Sequence, residues 1–188
     1  NDFIREKSPK LAIGAAYSYN VGASNMVGEG HNDFQMYDKE GAADYPDYRK
    51  LSADLLFKWN GFSLLAEYVN ATANGLNGLY VEKDEGAKLK PHQIANYLAL
   101  GNGFNVQAGY LFRKLWALDI AYSKVKPEWK ETEQSVLREA DNITFGATKY
   151  FNNNTFKLQL AGSYTSYNQL VGAGSKEFQV KLNLHILF

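Results

Sequence analysis

The chain has 188 residues, no cysteine, and 20 basic residues against 20 acidic ones. That excludes a disulfide framework and a thiolate metal site, and it removes the electrostatic pull that a nucleic-acid partner would need. No stretch approaches 18 consecutive apolar residues, LAIGAAY at 11–17 being among the longest, so no helix of this chain can span a bilayer.

Thirteen Tyr and eleven Phe stand against four Pro, with 16 Gly and a mean hydropathy of −0.39. This favours β structure, in either a soluble β protein or a membrane barrel whose strands are polar on one face. The opening NDFIREKSPK has neither an initiator Met nor a signal-peptide pattern, so the expectation is a processed chain or a piece of a longer one.

Read for period 2, the sequence predicts eight strands of about ten residues, the length a tilted strand needs to cross a bilayer. They fall at 10–20, 49–59, 62–71, 104–113, 115–124, 142–151, 155–167 and 176–188. Leu11, Ile13, Ala15, Tyr17 and Tyr19 share one face of the first. In the second, Leu51, Ala53, Leu55, Phe57 and Trp59 alternate with Lys50, Ser52, Asp54 and Lys58, and the third sets Phe62, Leu64, Ala66 and Tyr68 against Ser63 and Glu67. The pattern continues with Val106, Ala108, Tyr110 and Phe112 against Gln107 and Arg113, then Trp116, Leu118, Ile120 and Tyr122 against Asp119 and Ser123. In the sixth, Lys149 interrupts the apolar set near the strand end, where a lysine can snorkel. The last two oppose Leu158, Leu160 and Tyr164 to Lys157, Gln159 and Ser163, and Phe178 to Phe188 (even positions) to Gln179, Lys181, Asn183 and His185.

The connections alternate in length. Tight turns are predicted at Asn60-Gly61, Arg113-Lys114 and Asn152-Asn153-Asn154, and longer loops at 21–48, 72–103, 125–141 and 168–175. Short turns on one rim and long loops on the other describe an outer-membrane barrel. Trp59, Phe62, Phe112, Trp116, Phe151, Phe156 and Phe188 gather at the short-turn ends as one aromatic girdle. Tyr19, Tyr68, Tyr122, Tyr164 and Phe178 stand where a second girdle would lie. A soluble barrel or sandwich would point the same apolar set inward, which explains the alternation but not the aromatics aligned at turn ends.

Several segments resemble the phosphate-selective porin O and P family of Gram-negative outer-membrane proteins: LSADLLFKWNGFSLLAEYVNA at 51–71, FNVQAGYLF at 104–112, LWALDIAYSKV at 115–125, NITFGATKYFNNNTFKLQLAGSYT at 142–165, and the closing EFQVKLNLHILF. The resemblance implies that residues 1–188 are the C-terminal half of an all-β antiparallel barrel of about 16 strands. It also implies a homotrimer, a passive channel in the outer membrane, and a terminal aromatic strand read by the barrel assembly machinery. The family's phosphate-selective members line their pores with an arginine ladder and a lysine cluster. Here the arginines are Arg5, Arg49, Arg113 and Arg138, so a general channel for small hydrophilic solutes is the expectation rather than a phosphate-specific one.

The expected lining is Lys50, Asp54, Lys58, Glu67, Gln107, Arg113, Asp119, Lys157, Gln159, Lys181, Asn183 and His185, joined at the rim by Lys10, with the carboxylates interleaved among the cations and a weak anion preference as the result. Eight strands could also close as a complete small barrel with a structural, adhesive or partner-binding role, but its dry interior would demand paired charges. No catalytic residues are expected: His31 and His92 fall in loops, His185 falls on the lining face, and no Ser-His pair can be placed toward lipid. The carboxylates of 38–47 and 82–86 lack EF-hand spacing, so neither metal nor cofactor is expected; their alternative role is divalent bridging to lipopolysaccharide, which with outer-membrane lipid would be the surrounding partner. The apolar LKPHQIANYLALGNG at 89–103 is suited to folding back on something, as a pore wall in a wide barrel or an external hairpin or helix in a small one.

Overall fold

The computed structural model describes residues 2–22, 36–80, 88–113, 115–129, 135–152, 155–168 and 175–187. Eight strands form one antiparallel sheet in sequence order: β1 (Lys10–Asn20), β2 (Asp47–Trp59), β3 (Phe62–Asn74), β4 (Gly101–Leu111), β5 (Trp116–Pro127), β6 (Ala140–Asn152), β7 (Phe156–Tyr167) and β8 (Lys176–Ile186). The sheet is not closed: β1 pairs with β2 and β8 with β7, and the two are not paired with each other.

All eight predicted strands form, and their main departures are extensions at the long-loop ends, where β2 starts at Asp47, β3 runs to Asn74, β4 starts at Gly101 and β5 runs to Pro127. At the other rim, the β2–β3 hairpin turns on Asn60 and Gly61 with φ of 48° and 91°, the pair of positive φ values that a two-residue turn matched to strand twist requires. The β4–β5 turn is wider than expected. β4 ends at Leu111 and β5 begins at Trp116, with the Phe112 N–H donating to the Trp116 carbonyl at 2.7 Å and the Leu115 N–H to the Phe112 carbonyl at 3.0 Å. Arg113 therefore lies in the turn rather than on a strand. Leu115 takes a φ of 57° and packs against Leu111, Ala117 and Tyr150, which gives the extra turn residues a reason. At the β6–β7 turn the ladder slips between Tyr150 and Asn152, a bulge beside the girdle.

The two faces are sorted by chemistry. On β5 and β6, Leu118 (54 % exposed), Ile120 (42 %) and Phe145 (57 %) lie at the surface, while Ala117 (0 %) and Thr148 (3 %) on the opposite face are covered. The apolar face is thus the outer one, opposite to the arrangement in a soluble barrel. A cavity of about 640 Å³ lies against the other face and is lined from β2 through β7, so the sheet wraps around its polar side.

At the long-loop end the connections fold over this concave side. A short 3-10 helix (Pro91–Asn96) places Ile94, and with it Leu98 and Leu100, in a cluster with Met36, Ala73, Leu79 and Leu89. Tyr45, Tyr48, Tyr97 and Trp129 pack around it. The loops are tied together by backbone bonds from Tyr37 N–H to Tyr80 at 3.0 Å, Val136 N–H to Ala95 at 3.0 Å, and Glu128 N–H to Leu100 at 2.9 Å. The segment 89–103 does fold back, onto the end of the sheet that carries Tyr48 and Ala73.

Candidate functional site

Strand register assembles the polar face residue by residue, because the side-chain period of 2 puts paired residues on a common side. One row crosses all eight strands as Gly14, Asp54, Glu67, Asn105, Ser123, Asn142, Thr165 and Glu177. A second runs Lys10, Lys58, Ser63, Gly109, Asp119, Gly146, Ala161 and Lys181. Lys157 stands opposite His185, and Gln159 opposite both Thr148 and Asn183. Lys50, Gln107 and the other strand residues expected to line a pore fall on this same face. Arg113 does not: it is exposed in the β4–β5 turn and borders a separate recess at the rim.

Side-chain bonds knit parts of this surface. Asn105 donates to Glu67 at 3.0 Å, Asn142 to Thr165 at 2.7 Å, Thr144 to Asn142 at 3.0 Å, and Gln159 to Thr148 at 3.3 Å. Carboxylates and cations interleave along β2, as Lys50, Asp54 and Lys58, while like charges meet across strands at two points. Lys10 faces Lys58 directly across β1–β2, and Asp54 faces Glu67 directly across β2–β3, two like-charge pairs that a dry interior would not tolerate. Among the described residues no carboxylate lies within ion-pair distance of Lys10, Lys50, Lys58, Lys157 or Lys181. The Asp54 carboxylate leans over Gly14, where an added Cβ would come within 2.6 Å of its Oδ1.

Two features of the face escape a reading by alternation. Leu56 and Leu65 form an apolar cross-strand pair that reaches the cavity, and Leu111, Ala117 and Tyr150 make an apolar cluster at the short-turn end. The cluster exists because the N-terminal segment covers it. Phe3 meets Tyr150 edge to face at 4.6 Å, Asp2 accepts from the Gly61 N–H at 2.8 Å, and Arg5 donates to the carbonyls of Leu111 at 2.6 Å and Asn60 at 2.9 Å. The only hint in the sequence is that apolar Leu111 and Tyr150 occupy polar-face positions.

On the outer face, the short-turn aromatics lie together. Trp59 pairs with Phe62, Phe151 stacks on Phe156 at 4.6 Å, Phe112 meets Tyr110 at 4.9 Å, and Trp116 carries Lys149 over its ring. Phe188 is outside the described residues, as are His31 and the acidic segment 82–86. At the other end of this face, Tyr19 donates to Asp47 at 2.6 Å and Tyr122 to Asp141 at 2.5 Å, with Lys124 3.2 Å from the same Asp141 carboxylate. Asp38 of the first acidic loop accepts from the Ala42 N–H at 2.7 Å, so it closes its own turn. Beside Trp129 at the loop end, burial pushes the Glu128 carboxyl above its usual range, with the Arg49 charge opposing. Among the described residues no group of three His, Asp or Glu is placed to hold a metal ion. No protein-family model, no curated protein and no solved structure matches the chain.

Proposed function

We propose that these strands are a stretch of wall from a larger outer-membrane barrel of about 16 strands, a homotrimeric porin whose concave polar face lines a water-filled channel for small hydrophilic solutes. The observation that carries this reading is the height of the charge-free outer band. On β2 it runs from Leu51 to Trp59, with Asp47 and Arg49 on the same face only at the long-loop end. Nine residues at about 3.4 Å each, tilted by about 40°, rise roughly 23 Å, close to the about 25 Å of the apolar band of such barrels.

The open sheet supports a wide barrel over a complete eight-stranded one, since a small closed barrel needs β1 hydrogen-bonded to β8. The unpaired lysines point the same way, because water solvates them. The segments that resemble the porin O and P family are these same strands, and in this reading the last strand addresses the assembly machinery while lipid and lipopolysaccharide surround the outer face.

The test is reconstitution of the full-length protein in planar bilayers. Stepwise, ohmic conductance that persists at both polarities supports the reading. A protein that inserts without ever conducting leaves the closed structural barrel in its place.

A further inference from the structure

A recess of about 500 Å³ opens at the short-turn rim, between the N-terminal segment and the β2–β3 and β4–β5 turns. Its wall carries three cations, Arg5, Lys7 and Arg113, beside apolar Ile4 and Phe112, and among the described residues no carboxylate lines it. Two acids lie nearby in the sequence: Asp2 is 2 % exposed and accepts from the N–H groups of Gly61 and Glu6 at 2.8 and 3.0 Å, and Glu6, between Arg5 and Lys7, is not among the residues that line the recess. Arg5 is fixed in place by two backbone carbonyls and by Tyr110, whose hydroxyl lies 3.2 Å from Nη2. Lys7 and Arg113 are exposed and, among the described residues, have no hydrogen-bond or ion-pair partner.

Three cations around one concavity give it a positive local potential, which water and salt screen in part and an anion among them would lower. The recess also adjoins the apolar outer face: Phe112 (43 % exposed) belongs to the girdle, and Ile4 is 83 % exposed. A free inorganic anion has no use for those two side chains, whereas a phosphodiester with acyl chains uses the cations and the apolar groups together. We infer that this recess binds the phosphodiester headgroup of an anionic phospholipid, with Lys7 and Arg113 on the phosphate and Ile4 and Phe112 against the first methylenes of its chains. The inference rests on the membrane-barrel reading and adds to it a specific lipid site at the short-turn rim.

The full-length protein in phosphatidylcholine vesicles, doped with spin-labelled phosphatidylglycerol or spin-labelled phosphatidylcholine, provides the test through the motion-restricted lipid fraction. Phosphatidylglycerol is expected to be selected about fivefold at low salt, as one added cationic contact at a membrane surface would give. Salt should erode that preference. The double variant Lys7→Gln, Arg113→Gln should bring it to near unity, while Lys39→Gln, in the first long loop, should not change it. Equal restriction of both lipids by inserted protein overturns the site but not the barrel. Complete loss of the preference in inorganic phosphate, at an ionic strength where sodium chloride leaves it intact, makes a free anion the occupant and overturns the lipid assignment. Protein that restricts neither lipid and remains open to protease along its whole length overturns the membrane reading and the site with it.

Discussion

Lys149 lies over the indole of Trp116, its Nζ 5.1 Å from the ring centroid, and the two residues are direct partners across β5–β6. A lysine on the apolar face is thereby accommodated at the girdle, with its charge on an aromatic face and its stem along the strand. A double-mutant cycle of Lys149→Met and Trp116→Leu, read from denaturant unfolding of the reconstituted protein, should return a coupling of about 0.5–1 kcal/mol. Zero coupling would mean that Lys149 merely snorkels and that the ring contact contributes nothing.

Gly61 is constrained twice. Its φ is 91°, and a Cβ there would come within 2.6 Å of Arg5 Nη1 and 2.7 Å of the Leu111 carbonyl. Gly22 has a φ of 65° but nothing within 4 Å. Gly61→Ala should therefore destabilise by about 1–3 kcal/mol, and Gly22→Ala by about 1 kcal/mol or less. Equal losses at the two positions would show that the N-terminal segment does not seat on the turn.

How far the sequence is legible depends on whether a residue's face is set by local alternation or by a distant contact. Every strand and the common face of Lys50, Asp54, Lys58, Glu67, Gln107, Asp119, Lys157, Gln159, Lys181, Asn183 and His185 follow from period 2, because the pleat fixes facing without reference to partners, and the tight turn follows from its Asn60-Gly61 dipeptide. The cross-strand pairs do not follow. That Lys10 meets Lys58, or Asp54 meets Glu67, depends on register, which the turns set. Glu177 is a polar-face residue by its pairing with Thr165, and that brings the strand positions of this face to five lysines (Lys10, Lys50, Lys58, Lys157, Lys181) against four carboxylates (Asp54, Glu67, Asp119, Glu177). The placing of Asp2, Phe3 and Arg5 against Gly61, Tyr150 and Leu111 was illegible, because nothing periodic links a terminal segment to residues more than fifty positions away.

The outer face is tested most directly on β8, where Lys181 pairs with Ala161 on the polar side and Leu182 with Leu160 on the apolar side. In a bilayer, Leu182→Arg should cost about 2–4 kcal/mol, with Lys181→Leu far milder. Folding equilibria in phosphatidylcholine vesicles measure both. A reversed order would mean that the apolar face does not meet lipid.

In the proposed channel, selectivity follows from where the charges lie on the polar face. Lys58 and Asp54 are four residues apart on β2, about 13 Å along the strand, while the screening length at physiological salt is about 8 Å. The Asp54–Glu67 pair therefore cancels little of the field of the Lys10–Lys58 pair, and in the proposed channel each pair would act on the stretch beside it. With five lysines against four carboxylates on the strands, the open channel should be ohmic with a modest anion preference. Lys58→Gln should move the reversal potential in a salt gradient toward cations, and Asp54→Asn should move it further toward anions. Stability offers an independent check. Lys58→Gln relieves a cross-strand repulsion worth a few tenths of a kcal/mol and should leave unfolding unchanged or slightly raised. If both substitutions left the reversal potential untouched in a conducting protein, the polar face of these strands would not be the face that ions pass.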